Sequence, residues 1–302
     1  MNVRRLADAA LARGIAEVRR LTIAGTAVEL IVEREVAQMI LAPFAHLPAS
    51  TDEPVLRIRV AALNDSDAAE LGLDSVPDSG AVIPRDGTIE HLHRHSAALL
   101  DRDAGEIRAL IRNDGALASW HRAKPLQVPL SIFFADRGVD LVHGGLVSLR
   151  GNGLLIAGNS GSGKSTLAAA SLREGFDFLG DDCVGVRDRE GYSIFGSSCL
   201  VTSDDEPKTV FFPERIAAST TLRAIVLPRI LRARHVTMTP ASGKEALLAL
   251  APSSILKRAV PAADALARMA RLARELPAFR LEMGPIAEAA VQMRELLERL
   301  GA

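Results

Sequence analysis

The chain has 302 residues, 48% hydrophobic and 24% charged, an ordinary globular composition with material for more than one core. With 36 Lys and Arg against 37 Asp and Glu, the net charge is −1; the basic excess of a nucleic-acid binder is missing, and no nucleic-acid partner is expected. The two cysteines, Cys183 and Cys199, make neither a disulfide framework nor a structural zinc site, no run resembles a spanning helix, and the opening MNVRRLADAALARG has no secretory h-region, so a cytoplasmic protein without a membrane partner is expected.

Residues 1–20 carry Leu6, Ala9, Ala10, Ile15 and Val18 at amphipathic-helix spacing. LTIAGTAVELIVE (21–33) reads as strand broken at Gly25, and VLRIRVAAL (55–63) alternates like a half-buried strand. Residues 64–90, rich in Asp, Ser, Pro and Gly, are mostly loop. TIEHLHRH (88–95) alternates again and sets His91, His93 and His95 on one strand face. Three imidazoles could hold Zn²⁺, but the intervening Arg94 and the lack of a nearby Cys or acidic cluster favour a polar, solvated face. A soft boundary falls at Lys124-Pro125, dividing an N-terminal α+β domain (1–125) from a second domain (126–302).

Past that boundary, LSIFFAD (130–136) and DLVHGGLVSL (140–149) read as strands, and GLLIAG (153–158) as a short apolar strand. KSTLAAASLREG (164–175) is a helix stopped by Gly175. FDFLGDD (176–182) is a strand ending in two acids, and GYSIFGSSCLVT (191–202) is further strand. Lys208 reads as a surface residue. Residues 243–251, 262–276 and 285–300 read as helices, with AFRLEM (278–283) as a strand.

Gly158, Asn159, Ser160, Gly161, Ser162, Gly163, Lys164 and Ser165 match G-x-x-x-x-G-K-[ST] at every fixed position, and Thr166 continues the loop into the helix. The glycines let the backbone aim successive N–H groups at phosphates, and the following helix presents its positive end. Lys164 is expected to reach the β- and γ-phosphate oxygens, and the Ser165 hydroxyl to ligate Mg²⁺. The implied ligands are ATP and Mg²⁺. Asp181 and Asp182 follow after one helix and one return strand, which should lie beside the loop's own strand and deliver both carboxylates to the phosphates. Such acids can hold Mg²⁺ and accept a proton from an attacking hydroxyl.

The order His143-Gly144-Gly145, then GLLIAGNSGSGKS (153–165), then LREGFDFLGDD (172–182) resembles the C-terminal catalytic domain of HPr kinase/phosphorylase. The GDD ending is similar to that of ATP-dependent PEP carboxykinases, which share the fold. The resemblance covers roughly residues 130–205 and implies an α/β P-loop kinase fold. It implies an ATP- and Mg-dependent transfer of the γ-phosphoryl group to a serine hydroxyl of a protein or peptide, such as a natural-product precursor. It implies catalytic roles for His143, Lys164, Asp181 and Asp182, metal contact by Ser165 and Asp182, and a homo-oligomer. Thr166 stands where that family carries an acid, and no Arg-Gly pair follows Asp182, so phosphorolysis and HPr itself are not implied. A small-molecule kinase and a nucleotide-binding regulatory ATPase stand as alternatives.

Overall fold

The computed structural model describes residues 2–113, 117, 119–201, 207–211, 215–231, 234–254 and 264–301. The chain is mixed α/β and divides into two compact units, Met1–Phe133 and Phe134–Ala302.

The first unit opens with helix α1 (Asn2–Arg13), followed by strands β1 (Ala16–Ile23) and β2 (Thr26–Glu33) and helix α2 (Arg34–Leu41). Then come β3 (Leu56–Ala62), α3 (Asp65–Glu70), β4 (Ala81–Pro84), β5 (Thr88–His93), β6 (Ser96–Asp101), β7 (Glu106–Ile111) and the short helix α4 (Ser119–Ala123). The seven strands form one sheet in the order β1-β2-β3-β7-β6-β5-β4. Only β2, β3 and β7 run parallel; the rest are antiparallel hairpin partners. On one face α1 packs Val3, Leu6, Ala7 and Ala10 against Ala61, Leu99 and Leu110. The helix expected to run to residue 20 ends at Arg13, because Gly14 intervenes and Ile15 and Val18, at 63% and 59% exposure, face water. The expected break at Gly25 is the Ala24-Gly25 turn of the β1–β2 hairpin, both residues at positive φ.

Helix α5 (Gln127–Ala135) corrects the strand expected over 130–136. A fully apolar run has no period to tell strand from helix. Pro129 is tolerated because it lies in the first helical turn, where its missing N–H has no intrahelical partner to lose. Leu130, Phe133 and Phe134 are buried, and Ser131 Oγ donates to the Val128 carbonyl at 2.7 Å.

The second unit contains β8 (Asp140–Val142), β9 (Gly145–Leu149), β10 (Asn152–Ile156), α6 (Lys164–Ser171), β11 (Asp177–Gly180), β12 (Val184–Arg187) and β13 (Glu190–Ser193). It continues with β14 (Ser197–Val201), β15 (Pro207–Phe211), β16 (Ser219–Ile230), β17 (Thr237–Ala241), α7 (Gly243–Ser254), α8 (Ala265–Glu275), β18 (Ala278–Met283) and α9 (Ile286–Arg299). The main sheet runs β11-β9-β10-β16-β13-β12-β8, with β18 and β17 joined along β16, while β14 and β15 form a separate ribbon. The Lys208 side chain lies outside the described residues.

Alternation along β10 builds two cores. Leu155 faces a cluster with Ala246 and Leu250 of α7 and Met269 and Leu272 of α8. Leu154 and Ile156 face the opposite cluster, with Leu167 of α6 and Ala289, Met293 and Leu296 of α9. The helices thus cover both faces of the sheet, which holds β10 and its following loop rigidly from both sides.

Candidate functional site

The site forms at one end of the second unit's sheet, and strand register shows why. Strand β10 ends at Ile156, which pairs with Gly145, the first residue of antiparallel β9. Leu146 of β9 also pairs with Gly180, the last residue of β11. The loop after β10, the turn before β9 and the acids after β11 therefore leave the sheet at the same end. The acidic strand does not lie directly beside the loop's strand as expected; β9 runs between them. Because β9 is antiparallel to both, β10 and β11 still point the same way.

Two short connections bring the histidine and the acids together. His143-Gly144 joins β8 to β9, and Asp181–Cys183 joins β11 to β12. Both pass from one end of the strand order to the other in two or three residues, which requires the sheet to curl until its ends approach. Running through the same gap, the two connections place His143 Nδ1 2.6 Å from an Asp182 carboxylate oxygen. Both side chains are partly exposed, at 29% and 28%. Asp181 is 2% exposed and points inward. The two acids therefore have different environments. A β-carbon on Gly144 would sit 2.9 Å from the Ile156 carbonyl oxygen, so glycine lets the His143 connection lie against β10.

The loop from Gly158 to Gly163 turns back over the end of β10. Gly161 and Gly163 have φ of 78° and 96°, in the left-handed region that glycine enters without penalty. The Ser162 N–H bonds the Asn159 carbonyl at 3.2 Å, and the Leu167 N–H bonds the Gly163 carbonyl at 2.9 Å to begin α6. Helix α6 begins at Lys164, so its N-terminal end meets the loop. Lys164 is 6% exposed, and its Nζ donates to the Gly158 and Asn159 carbonyls, each at 2.9 Å. A buried ammonium and a helix N-terminus on one concavity favour an anion there. Ser162 Oγ is buried with no hydrogen-bond partner among the described residues. Ser165 and Thr166 follow on the first turn of α6.

The packing behind the loop is not marked in the motif. Gly163 packs against Met283 of β18 and Ile230 of β16, and a β-carbon there would lie 2.4 Å from Met283 Cε. A second unforeseen feature anchors β8, the strand that leads to His143. Asp140, 1% exposed, takes two hydrogen bonds from Arg268 of α8, Nε at 2.7 Å and an Nη at 2.8 Å. Asp140 in turn holds the Arg268 guanidinium above its ordinary pKa.

Residues 137–204 match the family model of the HPr Serine kinase C-terminal domain. That segment contains His143, the whole loop, and both acids, and over it the chain is HPr-kinase-like. Among solved structures, the HPr(Ser) kinase/phosphatase from Coxiella burnetii is similar at 13% identity and a TM-score of 0.32. The likeness covers 52% of this chain and 97% of that one. Comparison with curated proteins gives no match. Among the described residues, no helix is long and apolar enough to cross a membrane.

Proposed function

We propose that the second unit is a P-loop kinase of the HPr kinase type that transfers the γ-phosphoryl group of ATP to a hydroxyl, with serine of a protein or peptide as the preferred acceptor. The observation that carries the reading is the convergence of the glycine loop with buried Lys164 and the His143–Asp182 pair on one sheet end. The residues fit a nucleoside triphosphate. Gly161 has no side chain and open space where one would be, and Ser162 Oγ is an unused donor in the cradle. Among the described residues no group of three or more His, Cys, Asp or Glu side chains could hold a metal by itself. That is compatible with Mg²⁺, which keeps several waters and is commonly held by one or two protein oxygens together with the substrate's phosphates. Ser165 and Asp182 are the proposed protein ligands, and bound Mg²⁺ would neutralise charge on the phosphates.

Within this reading Gly158 to Thr166 bind the phosphates through backbone N–H groups and hydroxyls. Lys164 opposes the negative charge that develops on the transferred group. The acceptor hydroxyl loses its proton to Asp182, the exposed acid, and His143 orients that carboxylate through its Nδ1 contact. Asp181, buried beneath, fixes the shape of the connection. Acceptor recognition is assigned to residues 1–125.

The test is incubation of the full chain with γ-labelled ATP and Mg²⁺ in a cell extract, with Lys164→Ala as control. The proposal expects label on a protein or peptide, stable to acid and lost in alkali as the phosphate ester of serine is, and absent with Lys164→Ala. Label on a metabolite would reassign the acceptor. Nucleotide bound without any transfer, in the presence of whole extract, would remove the kinase reading.

A further inference from the structure

The first unit's sheet has two edge strands, β4 and β1. β4 is four residues long and ends in Pro84, which has no N–H, so it offers little to another strand. β1 offers more. Its hairpin with β2 closes on the Ile23–Thr26 pair, so the odd-numbered residues of β1 bond to β2 and the even-numbered ones turn their N–H and C=O groups outward. The segment 48–50 covers one end of that edge. The Thr22 N–H bonds the Pro48 carbonyl at 2.9 Å, and the Arg20 carbonyl accepts the Ser50 N–H at 3.2 Å. From Ala16 to the Arg20 N–H, the outward groups have no backbone partner among the described residues.

The side chains of this stretch are arranged about its centre. Val18 is 59% exposed and lies beside half-buried Ile31 of β2. Glu17 and Arg19 flank it on the other face of the sheet, next to Val32 and Leu30 of β2, which cannot neutralise them. Neither has an ion-pair partner among the described residues. Arg20 is already engaged, its Nε donating to Glu29 at 2.8 Å.

Two such edges can meet antiparallel about a two-fold axis, and the charges decide the register. An axis through Glu17 would set two carboxylates face to face, and one through Arg19 two guanidinium groups, both unfavourable. With the axis through Val18, Glu17 faces the partner's Arg19 and Arg19 faces the partner's Glu17. Val18 then meets the partner's Val18, and Ala16 lies opposite the partner's Arg20. Val18 is also the midpoint of the uncovered stretch, so in this register the pairing ends where the 48–50 segment begins. Charges on an edge strand ordinarily deter pairing; here they oppose the neighbouring slips and favour one register.

We propose that β1 is a homodimer interface, in which Ala16–Arg20 of two copies pair antiparallel about Val18 and join two seven-stranded sheets into one. So short a contact belongs to the weak end of specific interfaces, and the dimer is concentration-dependent.

The experiment is sedimentation velocity on the full chain from about 1 to 300 µM, with circular dichroism confirming the fold. The wild type should pass from monomer to dimer within that range. Arg19→Glu sets like charges together at both symmetry-related pairs and should weaken association at least about tenfold. Glu17→Arg with Arg19→Glu rebuilds both pairs in reverse and should return association to within about threefold of wild type. Val18→Pro removes an outward N–H that β2 does not use and should leave a folded monomer. If Val18→Pro misfolds, the two charge variants decide alone. A wild-type monomer throughout the range, a dimer of unchanged strength in Arg19→Glu or in folded Val18→Pro, or a charge reversal that fails to restore association would each overturn the proposal.

Discussion

Replacing Gly163 by alanine tests the loop with a single methyl group. Gly163 has φ of 96° and is the residue from which α6 springs. Forcing an L-residue with a β-carbon into the left-handed region costs about 1–2 kcal/mol. The new β-carbon would also meet Met283 Cε at 2.4 Å and the Ile230 side chain at 3.3 Å. Met283 is 4% exposed, so its flexible end has little room to retreat, and overpacking a core adds about 1–3 kcal/mol. The sum, roughly 2–5 kcal/mol, is released in one of two ways. If α6 stays in place, the protein loses that stability. If the loop shifts outward, the N–H groups leave their positions and nucleotide affinity falls, by about tenfold for each 1.4 kcal/mol. Urea unfolding and calorimetric titration with ATP·Mg²⁺ measure the two shares. Adding Met283→Ala to Gly163→Ala should recover the packing share and leave the backbone share. Wild-type stability together with wild-type ATP affinity in Gly163→Ala would refute the account of how this loop is built.

The remaining predictions concern the acids, the anchor of β8, and pH. Asp182→Asn should lower phosphoryl transfer by roughly 10²–10⁴ with ATP affinity largely kept, the size of a general-base contribution, and His143→Asn should lower it less. If Asp182→Asn transfers at the wild-type rate on an identified acceptor, Asp182 is not the base. Arg268→Ala removes two hydrogen bonds and an ion pair from the buried Asp140 carboxylate and should destabilise the chain by about 3–5 kcal/mol, while Asp140→Leu with Arg268→Leu should recover much of it; denaturant midpoints decide. His91 has its folded pKa depressed to about 4 from 6.5 by burial, so the folded state resists protonation and stability is fully present above 6.5 and lost as pH falls toward 4. The loss from this one residue is at most about 3 kcal/mol, and His91→Gln should flatten that limb of the stability profile; an unchanged slope would show that His91 is neutral for another reason.

What the sequence made legible follows from how local each signal is. The strand before the glycine loop and the helix after it appear as β10 and α6, because short apolar runs, glycines and a helix-forming KSTLAAAS segment act through neighbouring residues alone. The run at 130–136, expected as a strand and found in helix α5, fails for the opposite reason: nothing in LSIFFAD alternates, and an apolar run suits a buried helix as well as a strand. The insertion of β9 between β10 and β11 could not be read, since spacing gives chain length between motifs and not the order of strands. The meeting of His143 with Asp182 depends on the curl of an entire sheet. Residue types at positions 143 and 182 carry no trace of that, and only the resemblance to a known arrangement set them side by side. The imidazoles of the first unit show the same limit. Periodicity put His91 and His93 together, but His121 meets His93 edge-on from a separate helix, and all three line one cavity.

The placement of His143, Asp181 and Asp182 on connections rather than on strands has a physical basis. Neighbours along a strand are turned to opposite faces of the sheet, so two adjacent acids held in a strand could not share a concavity. After Gly180 the chain leaves the β-ladder for three residues before Val184 resumes it, and over that span the backbone is free of the alternation. One acid turns into the core and the other out toward His143. Freedom of this kind normally brings mobility, which the base proposed for Asp182 cannot have. Here it is removed by the shortness of the two connections and by the strands that clamp both of their ends, with β8 tied to α8 through Asp140 and Arg268. The same curl that lets so short a segment bridge the sheet therefore fixes the His143–Asp182 geometry, and Arg268, remote in sequence from both residues, stabilises the strand on which that geometry depends.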